Sequence, residues 1–207
     1  VNSLLDFSRM EAGRAKAYFQ ATNLNQYTED LISSFRSAME KAGLTLTVIS
    51  KPLPQAAYVD REMWENIVLN LMSNAFKFTL EGEVIIEISA SEDQRSAVIE
   101  IRDTGVGIPA SELPRLFERF HRIEGVQGRT IEGSGIGLAL VQELVHLHGG
   151  KLAVESQIGQ GSTFTIAIPL GSDHLPGDHI DKNDGPAQIG PRTRGFVAEA
   201  LRWLPAS

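Results

Sequence analysis

The sequence of 207 residues contains no cysteine. No disulfide or thiolate metal site can therefore hold it, which fits a reducing compartment and an expected cytoplasmic location. It has no run of eighteen apolar residues, so no segment is suited to cross a bilayer as a helix and no direct membrane contact is expected. The opening Val1-Asn2-Ser3-Leu4-Leu5-Asp6 lacks a basic region followed by an apolar stretch, so no secretory signal is expected. Positive charge is scarce: 19 Lys and Arg against 26 Asp and Glu leave a net −7, with no basic cluster. A nucleic-acid backbone is thus not an expected partner, although a nucleotide needs only local positive groups. There are no internal repeats. The 42% hydrophobic content suffices for the core of one medium domain with attached pieces, or of two very small ones.

Hydrophobic spacing divides the chain. Leu4, Leu5, Phe7 and Met10 before Gly13 read as the last turns of a helix, cut from a longer one. A second helix is expected from about Leu24 to Ala42, with Tyr27, Leu31, Phe35 and Met39 on one face. A strand over Leu44–Ser50 follows, broken by Pro52 and Pro54. Asp60 is a candidate N-cap for a helix whose stripe is Trp64, Ile67, Val68, Leu71 and Ala75. Val84–Ala90 and Ala97–Asp103 alternate as strands. A short helix is expected around Ser111–Arg119, and another with Ile136, Leu140, Leu144 and Leu147 on one face. Lys151–Glu155 and Ser162–Ile168 read as a hairpin across Ser156–Gly161. Alternating strands imply a sheet with one solvated face, hence an α/β two-layer sandwich: a mixed, mostly antiparallel sheet with helices on one face. Gly171–Arg194 reads as a linker, and Phe196, Val197, Ala200, Leu201 and Leu204 as a short amphipathic helix.

Three clusters carry chemistry. On the helix after Asp60, Asn70, Asn74 and Lys77 stand at i, i+4 and i+7 and share a face opposite the apolar stripe. Two amides and an ammonium suit a Mg²⁺ ion that keeps several waters and takes its other oxygens from a triphosphate. In that role Asn74 is the metal ligand and Lys77 neutralises phosphate charge. A solvated helix face has the same composition. Next, Asp103-Thr104-Gly105-Val106-Gly107-Ile108-Pro109 follows a strand directly. A carboxylate there accepts a hydrogen bond from an adenine amino group, and Gly105 and Gly107 let a flat ring approach the backbone. Guanine would offer a carbonyl instead, so the motif predicts base choice; a plain Asp-Gly turn is the simpler reading. Third, Glu132-Gly133-Ser134-Gly135-Ile136-Gly137-Leu138 opens a helix, where unpaired N–H groups and the helix dipole favour phosphate. It is neither a dinucleotide-binding fingerprint nor a Walker A loop. Thr163, in the Gly159–Thr163 turn, is a candidate for the wall of the base pocket. Leu116–Arg122 and the glycine-containing stretch to Glu132 suggest a mobile flap; Phe117 and Phe120 equally suit core packing.

In this order the clusters resemble the N, G1, F and G2 boxes of sensor histidine kinases: Asn70–Thr79 (NLMSNAFKFT), Asp103–Pro109 (DTGVGIP), Leu116–Arg122 (LFERFHR) and Gly133–Leu140 (GSGIGLAL). Leu4–Gly13 is similar to the end of the dimerisation hairpin that precedes such domains. The resemblance implies the Bergerat ATP-binding fold and protein-histidine kinase activity with ATP and Mg²⁺. It implies Asn74 on Mg²⁺, Asn70 and Lys77 on phosphate, and Asp103 on adenine. Gly107 would line the base pocket, and Gly105, Ile108, Phe120 and Thr163 would also contact the nucleotide. Gly133, Ser134, Gly135, Gly137 and Leu138 would form the phosphate lid, and Arg122 would reach the triphosphate.

Asn66 stands where the family often has Gln, and His121 where it often has Tyr. The phosphoacceptor motif, His followed by Glu or Asp, is absent, and none of the five histidines replaces it. His146 and His148 read as surface residues at a helix end. The resemblance implies three parts: 1–14 as the end of the phosphoacceptor hairpin, 15–170 as the catalytic domain, and 171–207 as linker and helix. Expected partners are the chain's own hairpin and a receiver domain of a response regulator, and the tail around Ala198–Pro205 resembles the connector of some hybrid kinases. The isolated chain is expected to be a monomer or weak dimer. Rival readings are a serine kinase of the anti-sigma-factor type and an ATPase clamp, which would need a water-activating glutamate; Glu65, nine residues before Asn74, is a poor counterpart.

Overall fold

The computed structural model describes residues 16–130, 133–181, 185 and 187–205. Leu4–Gly13 and Glu132 lie outside the described residues. In chain order the elements are β1 (Gln20–Thr22), α1 (Leu24–Ser33), α2 (Arg36–Lys41), β2 (Thr45–Ser50), β3 (Ala57–Val59), α3 (Arg61–Phe78), β4 (Glu83–Ala90), β5 (Ser96–Asp103), α4 (Gly137–Leu147), β6 (Lys151–Gln157), β7 (Gly161–Pro169) and α5 (Pro191–Arg202).

The main sheet has the order β2-β4-β5-β7-β6, and only the β2–β4 pair is parallel. The period-2 pattern puts Val84, Ile86 and Ile88, Ala97, Ile99 and Ile101, and Phe164, Ile166 and Ile168 on one buried face. Helices cover that face through Tyr27, Leu31 and Ile32 of α1, Trp64, Ile67, Val68 and Leu71 of α3, and Leu140, Val141 and Leu144 of α4. The expected two-layer sandwich is the observed one. Asp60 caps α3 by accepting a hydrogen bond from the Met63 N–H (3.1 Å). Trp64, fully buried, donates from Nε1 to Thr28 Oγ1 (3.0 Å), so the largest core side chain leaves no polar atom unpaired.

Several expectations are corrected. The helix expected over Leu24–Ala42 is two helices, because Ser34 and Phe35 make i→i−3 bonds to Leu31 and Ile32 and Ser34 Oγ takes the Leu31 carbonyl. The apolar stripe of Tyr27, Leu31, Phe35 and Met39 nevertheless remains buried across the break. The helix expected around Ser111–Arg119 is one 3₁₀ turn, Leu113–Arg115, followed by further i→i−3 turns. His148 is buried rather than on the surface: Nδ1–H donates to Leu144 O (2.7 Å) and Nε2 accepts from the Asp60 N–H (3.1 Å). Leu147, expected on the buried face, is 39% exposed, while Val145 packs inside.

The stretch expected to be a linker is tied down. Phe19 exchanges hydrogen bonds with His179 and Asp181, and Gly171 donates to Ala56 O. Helix α5 begins at Pro191, earlier than its apolar residues suggest, and packs on α3 of the same chain. The short antiparallel pair β1–β3 had no sequence signal.

Candidate functional site

The site lies where α3, the end of β5 and the start of α4 meet. Asn70 is not on a solvated helix face: it is buried, and its Nδ2 donates to Asn66 O one turn earlier (2.8 Å). Its Oδ1 faces the first turn of α4, where a Cβ on Gly137 would stand only 2.7 Å away. Asn74 and Lys77, half-buried, continue along α3. The Lys77 ammonium lies 5.1 Å from the Phe78 ring centroid and beside Gly133, 3.2 Å from where a Cβ would be. The N-box face and the glycine-rich turn, 56 or more residues apart in sequence, are thus neighbours.

Asp103 ends β5 and is buried. Its Oδ1 accepts the Gly105 N–H (2.9 Å). Burial pushes the carboxyl up to about 6, against the opposing effect of the Gly105 and Ser162 amides. It is a buried acceptor ionised at neutral pH, and the Gly105 and Ser162 amides leave part of its acceptor capacity unused. The loop after it folds back on the β6–β7 turn: Val106 accepts from Gly159 N–H (2.8 Å) and Ile108 N–H donates to Ser156 Oγ (2.8 Å). Gly107 sits at φ +72° directly on the Gln157 carbonyl, so any side chain would both strain the backbone and strike that carbonyl.

The F-box segment joins the glycine turn. Phe120 N–H donates to Gly135 O (3.0 Å), and Phe120 itself takes φ +61°, rare for a bulky residue. Gly135, at φ +68°, is backed by Phe120 and His121 backbone at 2.8–2.9 Å from a would-be Cβ. Phe120 is 65% exposed, so it is not core, whereas Phe117 packs on the core. His121 pairs with Glu112 (2.7 Å), and Arg122 beyond it is exposed. Ser134 Oγ accepts the Ile136 N–H (3.3 Å), and Leu138 packs partly against the core.

Thr163 is the exception. The β5–β7 register pairs it with Arg102, on the sheet face away from Asp103, while Ser162 pairs with Asp103 and is buried. Side chains alternate across a strand, so Ser162 and not Thr163 shares Asp103's face. Ser162 Oγ lies 2.8 Å from Ser156 Oγ, which donates to Gly161 O (2.9 Å). Which residue of β7 stands opposite Asp103 is set by the register with β5, so the sequence alone carried no signal for Ser162. Arg129, which had no signal either, anchors its loop to the end of α3 through the Phe76, Thr79 and Leu80 carbonyls. Glu65 is spoken for: its Oε1 accepts from the Thr193 N–H (3.0 Å) and hydroxyl at the start of α5.

Fold and site together define an α/β sandwich with a buried carboxylate at a strand end and a polar helix face apposed to a glycine turn. Residues 59–172 match the family described as histidine kinase-, DNA gyrase B- and HSP90-like ATPase. The chain is 34% identical over 195 residues, 92% of its length, to the sensor histidine kinase TmoS of Ectopseudomonas mendocina, of which it covers 20%. It is 35% identical over 189 residues, 90% of its length, to the circadian input-output histidine kinase CikA of Thermosynechococcus vestitus, covering 26% of that protein. The crystal structure of full-length ShkA in complex with AMPPNP superposes with a TM-score of 0.69 at 26% identity, over 82% of this chain and 35% of that one. The chain belongs to this ATPase family and, within it, to the ATP-binding catalytic domains of sensor histidine kinases. It spans about a fifth to a quarter of the length of these curated relatives.

Proposed function

We propose that this domain binds Mg·ATP and delivers the γ-phosphate to a histidine on a dimerising helical hairpin, from which an aspartate on a receiver domain takes it. The observation that carries this reading is the apposition of the α3 polar face to the glycine turn, with buried Asp103 at the base end. Asp103 accepts the adenine amino group, with Gly105, Gly107 and Ile108 lining the base. Asn70, Lys77 and the N–H groups of Gly133–Leu138 meet the phosphates, and Arg122 and Phe120 close from the F-box side. Among the described residues no group of three His, Cys, Asp or Glu is placed to hold a metal. The half-buried Asn74 on α3 suits Mg²⁺ instead: its amide oxygen would hold the ion, which would neutralise phosphate charge and take its other oxygens from phosphate and water. Phosphoryl transfer then rests on positioning and charge neutralisation. The parts are 1–14 as the end of the hairpin, 15–170 as the catalytic domain and 171–207 as a docked tail; the chain alone is a monomer or weak dimer.

The test is to mix the chain with γ-labelled Mg·ATP and a phosphoacceptor hairpin from one of the relatives. The expected product is an acid-labile, base-stable label on the hairpin histidine and none on the chain alone. An acid-stable label would indicate a serine kinase. Steady phosphate release without an acceptor would indicate an ATPase clamp, a reading that the engagement of Glu65 by Thr193 already disfavours.

A further inference from the structure

Residues 128–130 lead into the glycine turn, and they are seated on the carboxyl end of α3 by one residue. Arg129 N–H donates to Lys77 O (2.9 Å). Its Nε donates to Phe76 O (3.0 Å), and its Nη2 to Thr79 O (2.8 Å) and Leu80 O (2.9 Å). Its guanidinium carbon stands 5.0 Å from the Phe76 ring centroid. Helix carbonyls in a last turn lack intrahelical donors, and a cation there is favoured by the helix dipole, so the fork fits its place. Gly128 packs beside the Lys77 carbonyl and the Phe78 ring, at 3.3 Å from a would-be Cβ. The same Phe76 ring receives α5: Trp203 stacks on it at 6.3 Å and 21°. Helix α5 is fastened at its other end by Glu65, which accepts from Thr193, and in its last turn by fully buried Ala200.

We propose that Arg129 is a positioning residue of the nucleotide site, holding Lys77 and the glycine turn in register for the triphosphate, and that α5 braces it through Trp203 and Phe76. This rests on the reading of the site as a Mg·ATP site. Arg129 donates to no base-pocket residue, and the Phe78 carbonyl that takes the Val106 N–H is not among its acceptors, so its larger effect falls on the phosphates. Lysine does not replace it, because a single ammonium does not span three carbonyls as the planar fork does.

The test compares adenosine with the non-hydrolysable Mg·AMPPNP, titrated calorimetrically into the chain, Arg129→Gln, Arg129→Lys, Trp203→Ala and the Arg129→Gln/Trp203→Ala double variant. Arg129→Gln and Arg129→Lys should each weaken Mg·AMPPNP about tenfold and leave adenosine within about twofold. Trp203→Ala should weaken Mg·AMPPNP about threefold, and add nothing in the Arg129→Gln background, as expected for one coupled path. Equal loss for adenosine and Mg·AMPPNP would mean a merely structural role and would overturn the proposal. Unchanged Mg·AMPPNP binding in Arg129→Gln overturns it while leaving the nucleotide site intact. Absence of Mg·AMPPNP binding to the unaltered chain overturns both it and the nucleotide reading. Additive losses in the double variant overturn the brace by α5.

Discussion

Asp103 is where stability and function oppose each other. A carboxyl whose folded-state pKa is raised to about 6 from 3.8 binds more protons folded than unfolded. Its penalty is therefore absent at low pH and grows as pH rises from about 4 to about 6, reaching at most about 3 kcal/mol at neutral pH. Asp103→Asn should accordingly raise the melting temperature of the nucleotide-free chain at pH 7.5, while weakening adenine nucleotides at least tenfold. Adenosine affinity should also fall as pH drops below about 6 in the unaltered chain and stay level in Asp103→Asn; calorimetry at pH 5.5 and 7.5 reads both. His148 acts with the opposite sign. Burial lowers its pKa, against the Leu144 carbonyl and Asp60. The unfolded chain thus takes up a proton first, and stability is full above about pH 6.5 and declines as pH falls below it. NMR should find the His148 imidazole neutral well below pH 6.5.

At the scale of elements, α3 unites core, site and tail. Its apolar stripe was legible because Trp64, Ile67, Val68 and Leu71 recur at helical spacing and are buried. Its polar residues were legible as a motif but not as a place: Asn70 looks solvated on a helical wheel, and only the packing of α4 against α3 buries it. The five strands of the main sheet were read to within two residues because alternation is local, whereas the three-residue β1 and β3 were missed. The break at Ser34–Phe35 and the collapse of Ser111–Arg119 into turns were not, since both depend on i→i−3 bonds that hydrophobic spacing does not encode. Thr163 failed for a different reason: parity along β7 depends on the register with β5, a long-range pairing. The Glu65–Thr193 contact makes a prediction at this scale. Thr193→Ala leaves the Glu65 carboxylate buried with a single N–H donor, and should lower stability by about 1–3 kcal/mol in urea unfolding.

For the whole molecule, a sheet with one covered face presents Asp103 at a strand end, while two helices of one layer, α3 and α4, bring Asn70, Lys77 and the glycine turn together beside it. The architecture and the family were readable from four ordered motifs. The docking of the tail was not, because the amphipathic face of α5 shows that it packs without showing on what. The central claim is an adenine nucleotide site built on Asp103 and the α3 face. It is tested most directly by titrating the chain with Mg·ADP and Mg·GDP, with Asp103→Asn alongside. Such a site binds Mg·ADP saturably and Mg·GDP not at all, and loses at least tenfold in Mg·ADP affinity in Asp103→Asn. Equal binding of the two nucleotides, or Mg·ADP binding indifferent to Asp103→Asn, would contradict the claim.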